Sequence, residues 1–267
     1  METVWRFSDN SDETIKKHLD DSLFNRMKEF DSSKAKNYKL VMTGTVGSGK
    51  STICECLACL FNSVGIWTNN FPEFLFVNDD ISGLLLTKKI NGRISNTTFQ
   101  NFVLDNWESI LKQNMSKPGL CLFERCVDDC VICFSNIDNA NKSISDLELY
   151  TMYRRLQKID ADYDVPSYFD SKVHFTKIQS GNLVFNLHQI LDIIKSDLKH
   201  GIYKRVIGLS VSDFDSKQRI KQRGRDGEDN YDDALIKKYN NHYKKLFETL
   251  EKGGYVSRFL DIGMLIN

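Results

Sequence analysis

Residues Gly44-Thr45-Val46-Gly47-Ser48-Gly49-Lys50-Ser51 fit the pattern G-x-x-x-x-G-K-[ST] at every fixed position, and Thr52 follows directly. The pattern constrains the fold because it works only between a strand and a helix. Both flanks are present. Tyr38 to Thr43 is short with an apolar centre, and Ser51 to Asn62 reads as a helix. The chemistry is equally specific. Gly44, Gly47 and Gly49 permit backbone angles that turn successive N–H groups inward, a concavity made for phosphate oxygens. The following helix adds its positive end. Lys50 brings a point charge to the β- and γ-phosphates, and the Ser51 hydroxyl is a Mg²⁺ ligand. A glycine-rich turn matching by chance is the alternative, and the flanking strand and helix count against it. The loop implies nucleotide and magnesium binding but not the acceptor, since GTPases, ATPases and kinases share it.

The rest of the chain alternates in the same way. Ile66 to Trp67 and the polar residues after it read as a weak second strand. Asn96 to Asn114 is helical, with Phe99, Phe102, Val103, Trp107, Ile110 and Leu111 on one face. Leu120 to Phe123 and Arg205 to Val211 are apolar runs of the kind buried on both faces of a parallel sheet. Ile144 to Ile159, Leu183 to Lys199, Ser216 to Arg225 and Ala234 to Lys252 are helical, and Arg258 to Ile262 reads as a last strand. The expected fold is α/β: a doubly wound parallel sheet with helices on both faces, of the P-loop kinase type. Residues 1–37 are polar and carry one amphipathic stretch, Thr14 to Phe30, expected as a leading helix packed on the main domain at 38–267. Asp160 to Asn182 fits worst and reads as an irregular insertion.

Composition narrows the function. The 267 residues carry 36 basic and 36 acidic side chains, so the formal net charge is zero. That balance argues against a general nucleic-acid or membrane-surface binder. Met1 to Ser11 is polar and mixed in charge, unlike a secretory leader. No apolar run approaches a membrane span. The seven cysteines, at 54, 56, 59, 121, 126, 130 and 133, lie mostly in apolar stretches and read as reduced core residues of a cytoplasmic protein. Cys130 and Cys133 form a C-x-x-C without a second pair at zinc-ribbon spacing.

Two charged clusters complete the pattern. Glu124-Arg125 ends the strand begun at Leu120. Ligands of open α/β sheets sit beyond the carboxyl ends of the strands, so both side chains are expected in the crevice of the phosphate loop. A carboxylate there can ligate Mg²⁺ or accept from its water, and an arginine can bind the acceptor or steady transferred charge. A surface ion pair at a strand end is the plainer reading. Further on, Arg219-Ile-Lys-Gln-Arg-Gly-Arg225 crowds four cations into seven residues, followed by Asp226-Gly-Glu-Asp229. On a helix Arg219 and Arg223 share a face one turn apart. A lid near 216–230 closing on ATP phosphates accounts for the crowding. A solvated helix face and a nucleic-acid patch are the alternatives, and the second lacks interleaved aromatics.

Taken in order, the phosphate loop, Gln100 in Phe99-Gln-Asn-Phe102, Glu124-Arg125 and the arginine-rich stretch ending in Glu228 resemble the deoxynucleoside kinase family of cellular deoxynucleoside kinases and viral thymidine kinases. Gln100 precedes Glu124 by 24 residues, and the resemblance covers roughly 38–250. It implies ATP- and magnesium-dependent phosphorylation of the 5′-hydroxyl of thymidine or another deoxynucleoside, in DNA precursor salvage, by a helix-paired dimer. It also implies roles. Gln100 would pair with the base edge. Glu73 would take the proton from the 5′-hydroxyl, and Arg125 would hold Glu73 and the 5′-oxygen. Glu124 would help hold magnesium. Arg223 and Arg225 would reach the phosphates, and Glu228 the sugar 3′-hydroxyl. The family usually has Glu before Pro after the second strand, whereas this chain has Pro72-Glu73, which leaves Asp79 or Asp80 as alternative bases. Cys126 stands where serine is common, and Gly83 to Ser95 lacks the expected tyrosine. A nucleoside monophosphate kinase, with Arg93 serving the acceptor phosphate, and a regulatory nucleotide-binding protein are the rival functions.

Overall fold

A computed structural model describes residues 15, 19–73, 79–115, 117–168, 170, 172–223 and 231–252, with the backbone alone at 79–83, 114 and 223. From Asp20 onward the elements are α1 (Asp21–Met27) and α2 (Ser32–Ala35), and the chain then alternates: β1 (Lys39–Gly44), α3 (Lys50–Ser63), β2 (Thr68–Phe71), α4 (Asp79–Ile90), α5 (Asn96–Asn114) and β3 (Leu120–Glu124). A π-helical turn (Asp129–Ser135) runs into α6 (Asn136–Ala140). Then come α7 (Asp146–Tyr163), β4 (His174–Gln179), α8 (Leu183–His200), β5 (Lys204–Ser210), α9 (Asp213–Arg223) and α10 (Asp233–Glu251). Among the described residues five strands form one sheet in the order β2-β3-β1-β5-β4, and every pairing is parallel.

Strand alternation decides which helices cover which face. Leu40 and Met42 of β1, Leu120 and Leu122 of β3, and Ile207 and Leu209 of β5 point to a core shared with α3, α8 and α1. Val41, Cys121, Phe123 and Val206 point the other way, into a core built with α5, α7, α10 and the π-helical turn. Phe71 stacks on Phe123 at 4.4 Å between centroids, joining the β2 edge to the centre. Burying such a ring contributes about 1.5–3 kcal/mol. The expected doubly wound α/β architecture with helices on both faces is therefore the architecture observed. Among the described residues no helix is long and apolar enough to cross a membrane.

Three expectations need correction. The stretch from Thr14 to Phe30 is not one helix. Asp20 is extended (φ −99°, ψ 165°) and its side chain accepts from the Leu23 N–H, so a new helix starts at Asp21. The second strand starts at Thr68, after Ile66 and Trp67, and its polar residues alternate between half-buried and buried. The supposed insertion from Asp160 to Asn182 is not irregular throughout. Helix α7 runs on to Tyr163, and His174–Gln179 forms strand β4 on β5, at the edge of the sheet among the described residues. An edge strand pairs on one side only and stays largely exposed, so it lacks the apolar run of a central strand. Helix α4 was likewise hidden in the sequence, because Gly83 and three successive leucines blur any stripe. The expected strand at Arg258 to Ile262 lies outside the described residues.

Candidate functional site

Beyond the carboxyl end of β1 the chain turns through the phosphate loop. Gly44, Gly47 and Gly49 all take positive φ (134°, 76° and 89°). A Cβ on Gly44 would sit 2.3 Å from the Leu209 carbonyl oxygen, so only glycine lets β1 leave the sheet here. The Lys50 ammonium donates to the carbonyls of Gly44 (3.2 Å) and Thr45 (2.7 Å) and to the Ser48 hydroxyl (3.3 Å). Burial, with Arg125 nearby, pulls its pKa from 10.5 to about 7. A buried ammonium held only by loop oxygens fits a site built to receive anionic oxygens. The Thr45 hydroxyl, buried without a partner, fits the same reading. Val46 borders the adjoining cavity, and Thr52 is exposed on the first turn of α3.

Three side chains, two of them on α9, hold this loop from outside. Ser216 on α9 donates to the Val46 carbonyl at 2.7 Å. Ser180, just after β4, donates to the Ser48 carbonyl at 2.8 Å. Arg219 reaches the Gly47 carbonyl (3.2 Å) and the Ser180 hydroxyl (2.9 Å). Arg219 therefore touches the phosphate loop. The side chains of Arg223, Arg225 and Glu228 lie outside the described residues.

The end of β3 delivers the charged pair. The Ser51 hydroxyl donates to Glu124 Oε1 at 2.5 Å, which sets two hard oxygens at the mouth of the loop, a donor set suited to Mg²⁺. Burial and then Glu73 raise the Glu124 pKa. Arg125 has φ 67°, a left-handed angle that costs a non-glycine residue about 1–3 kcal/mol. The turn sends its side chain back across the strand ends. Its Nε donates to Glu73 Oε1 at 2.7 Å and its Nη1 to the Gly44 carbonyl at 2.7 Å and to the Tyr243 hydroxyl. Burial opposes its charge, but Glu73, Tyr243 and Asp129 outweigh burial and hold the guanidinium protonated. Glu73 and Arg125 thus meet despite the Pro72-Glu73 order. The side chains of Asp79 and Asp80 are not described.

Asp129 lies beneath Arg125 and is 1% exposed. It accepts from Tyr243 (2.8 Å), Thr43 (2.8 Å), Tyr168 (3.1 Å) and the Cys126 N–H (2.9 Å). Sequence reasoning missed this hub. Tyr243 reads as one more core residue of an amphipathic helix, and the one available signal was a double aspartate directly after a functional strand.

From Glu73 and Arg125 a partly open cavity extends toward α5. Phe99, Phe134 and Trp107 are among its walls and Gln100 is at its far end. Gln100 is 2% exposed. Its amide nitrogen donates to Asp138 Oδ2 at 3.3 Å, and its amide oxygen accepts from the Cys130 thiol at 3.2 Å. Lys89 donates to the same Asp138 oxygen at 3.0 Å and lies 5.0 Å from the Phe99 ring centroid. Arg93 is exposed and is not part of the wall.

No protein-family model matches the chain, and none of the curated proteins does. Among solved structures it is similar to deoxyadenosine kinase from M. mycoides with bound dATP, at 18% identity over 80% of this chain and 86% of that one, with a TM-score of 0.49. The deoxyadenosine kinase from M. mycoides with bound dCTP is similar at 17% identity over 85% of this chain and 94% of that one, also at 0.49. At that score the likeness carries no argument about activity, and the chemistry of the crevice has to carry it.

Proposed function

We propose that this chain transfers the γ-phosphate of ATP, with Mg²⁺, to the 5′-hydroxyl of a deoxynucleoside. The observation that carries the reading is the Glu73–Arg125 pair, 2.7 Å apart, where the phosphate loop meets a partly open, mostly apolar cavity. A hydroxyl at that junction is a poor nucleophile until a positioned acceptor takes its proton. Glu73 is that acceptor. Arg125 fixes its direction. Lys50 swings from its loop carbonyls to the phosphates and meets the charge that develops on transfer. Ser51 and Glu124 hold Mg²⁺, which when bound neutralises charge on the β- and γ-phosphates. Arg223 and Arg225 close over the phosphates, and Glu228 takes the sugar 3′-hydroxyl. Gln100 reads the base edge between aromatic walls.

A nucleoside monophosphate kinase needs a further cation for the acceptor's own phosphate, and the exposed position of Arg93 does not support one there. ADP release is measured with ATP and thymidine, thymidylate and the other common deoxynucleosides, each supplied separately. Turnover with a nucleoside is the expected result. Turnover with thymidylate alone, or nucleotide binding without stimulated turnover, overturns the proposal.

A further inference from the structure

The far end of the cavity carries charge that reading a base edge with a lone amide does not require. Asp138, 7% exposed, takes hydrogen bonds on one oxygen from Gln100 at 3.3 Å and from Lys89 at 3.0 Å. A carboxylate only accepts, so it forces the Gln100 nitrogen toward itself. The Cys130 thiol, donating to the Gln100 oxygen from the other side at 3.2 Å, enforces the same orientation. A flipped amide would set oxygen against carboxylate. The amide that could serve either kind of base is therefore locked in one direction.

Lys89 then adds a second donor to the nitrogen side of that amide. Both donors lie within hydrogen-bond distance of one Asp138 oxygen, and both line the cavity. An ammonium carries three donors and no acceptor, and Asp138 takes one of them. Two donors converge where the base edge arrives. A carbonyl oxygen has two lone pairs for them, whereas a ring nitrogen has one and an amino group opposes them with its own protons.

We infer that the Lys89–Asp138–Gln100 cluster selects bases that present a ring carbonyl beside an N–H, the 4-oxopyrimidines and 6-oxopurines, over their amino counterparts. The inference rests on the proposed nucleoside site and names its substrate class. The base N–H faces the Gln100 oxygen, and the carbonyl takes the Gln100 nitrogen and Lys89.

The test uses pairs that differ at this edge: deoxyuridine against deoxycytidine, and deoxyinosine against deoxyadenosine, each with ATP. The oxo member of each accepted pair is expected to lead by about tenfold or more in kcat/KM, the worth of one charge-assisted hydrogen bond. Lys89→Met is expected to lower the ratio several-fold, by removing one of the two donors, without abolishing it, because the oriented Gln100 amide remains; ADP affinity stays at the wild-type value, and Lys89→Gln serves if the first variant does not fold. An amino nucleoside used equally well or better by the wild-type protein overturns the inference and leaves nucleoside phosphorylation standing. A ratio unchanged in both folded variants also overturns it. Turnover of none of the four overturns the inference, and turnover of neither thymidine nor deoxyguanosine besides overturns the proposed function with it.

Discussion

The two ends of the crevice are built on opposite plans. At the phosphate end, eight consecutive residues do most of the holding, through backbone angles and one lysine. At the end proposed to take the base the polar atoms come from α4, α5, the π-helical turn and α6, and touch through side chains: Lys89, Gln100, Cys130 and Asp138. A site made of contiguous backbone recognises what every nucleotide shares. A site assembled from four separate elements can recognise one base and reject another, because each side chain can change without moving the rest. Glu73 and Arg125 stand between the two plans, one from each side of Phe71–Phe123, the stacked pair that ties the sheet edge to its centre.

If the junction is where chemistry occurs, its loss has the largest effect. Glu73→Gln keeps size and a hydrogen-bonding group but takes no proton. It is expected to lower kcat by about 10²–10⁴-fold with nucleoside binding nearly unchanged. Single-turnover kinetics decides, and a full rate in Glu73→Gln with a lost rate in Asp79→Asn or Asp80→Asn moves the base to an aspartate. At the phosphate end, Lys50→Ala is expected to cost about 10²–10³-fold in kcat/KM, since a charge facing developing phosphoryl charge disappears from a dry site. Near-wild-type turnover would remove the loop from the mechanism.

The base end answers differently. Gln100→Leu leaves base atoms and the Asp138 carboxylate short of a partner, for about 1–3 kcal/mol in nucleoside binding and little in ATP binding. Calorimetry with each ligand separates the two, and a loss confined to ATP would erase the distinction between the ends.

The smallest effect is a proton. With the Lys50 pKa lowered to about 7 against an ordinary 10.5, the folded protein holds fewer protons than the unfolded chain between those values. Stability from this group therefore rises with pH across that window, and below it the cost of a buried charge is fully present. A bound phosphate restores the ammonium. Magnesium-free ADP binding at pH 8 is expected to take up a proton, read as a heat that differs between buffers of unlike ionisation enthalpy. Equal uptake in Lys50→Met would assign the proton elsewhere.

Legibility in the sequence follows the same division. The glycine spacing, the flanking strand and helix, and the apolar runs of β1, β3 and β5 were all visible, because each depends on neighbours within one element. The edge strand β4 was not, since an exposed strand takes its shape from the hydrogen bonds of β5 rather than from its own apolar pattern. Nor was Asp129. Its donors include Thr43, Cys126, Tyr168 and Tyr243, which span two hundred positions of chain. By itself the sequence determined the parallel architecture and the phosphate loop, which are fixed by local backbone geometry and strand periodicity. Only the tertiary structure decided that Glu73 faces Arg125 and that Lys89 and Gln100 share one oxygen of Asp138, because burial in a common cavity, and not chain order, brings those charges together.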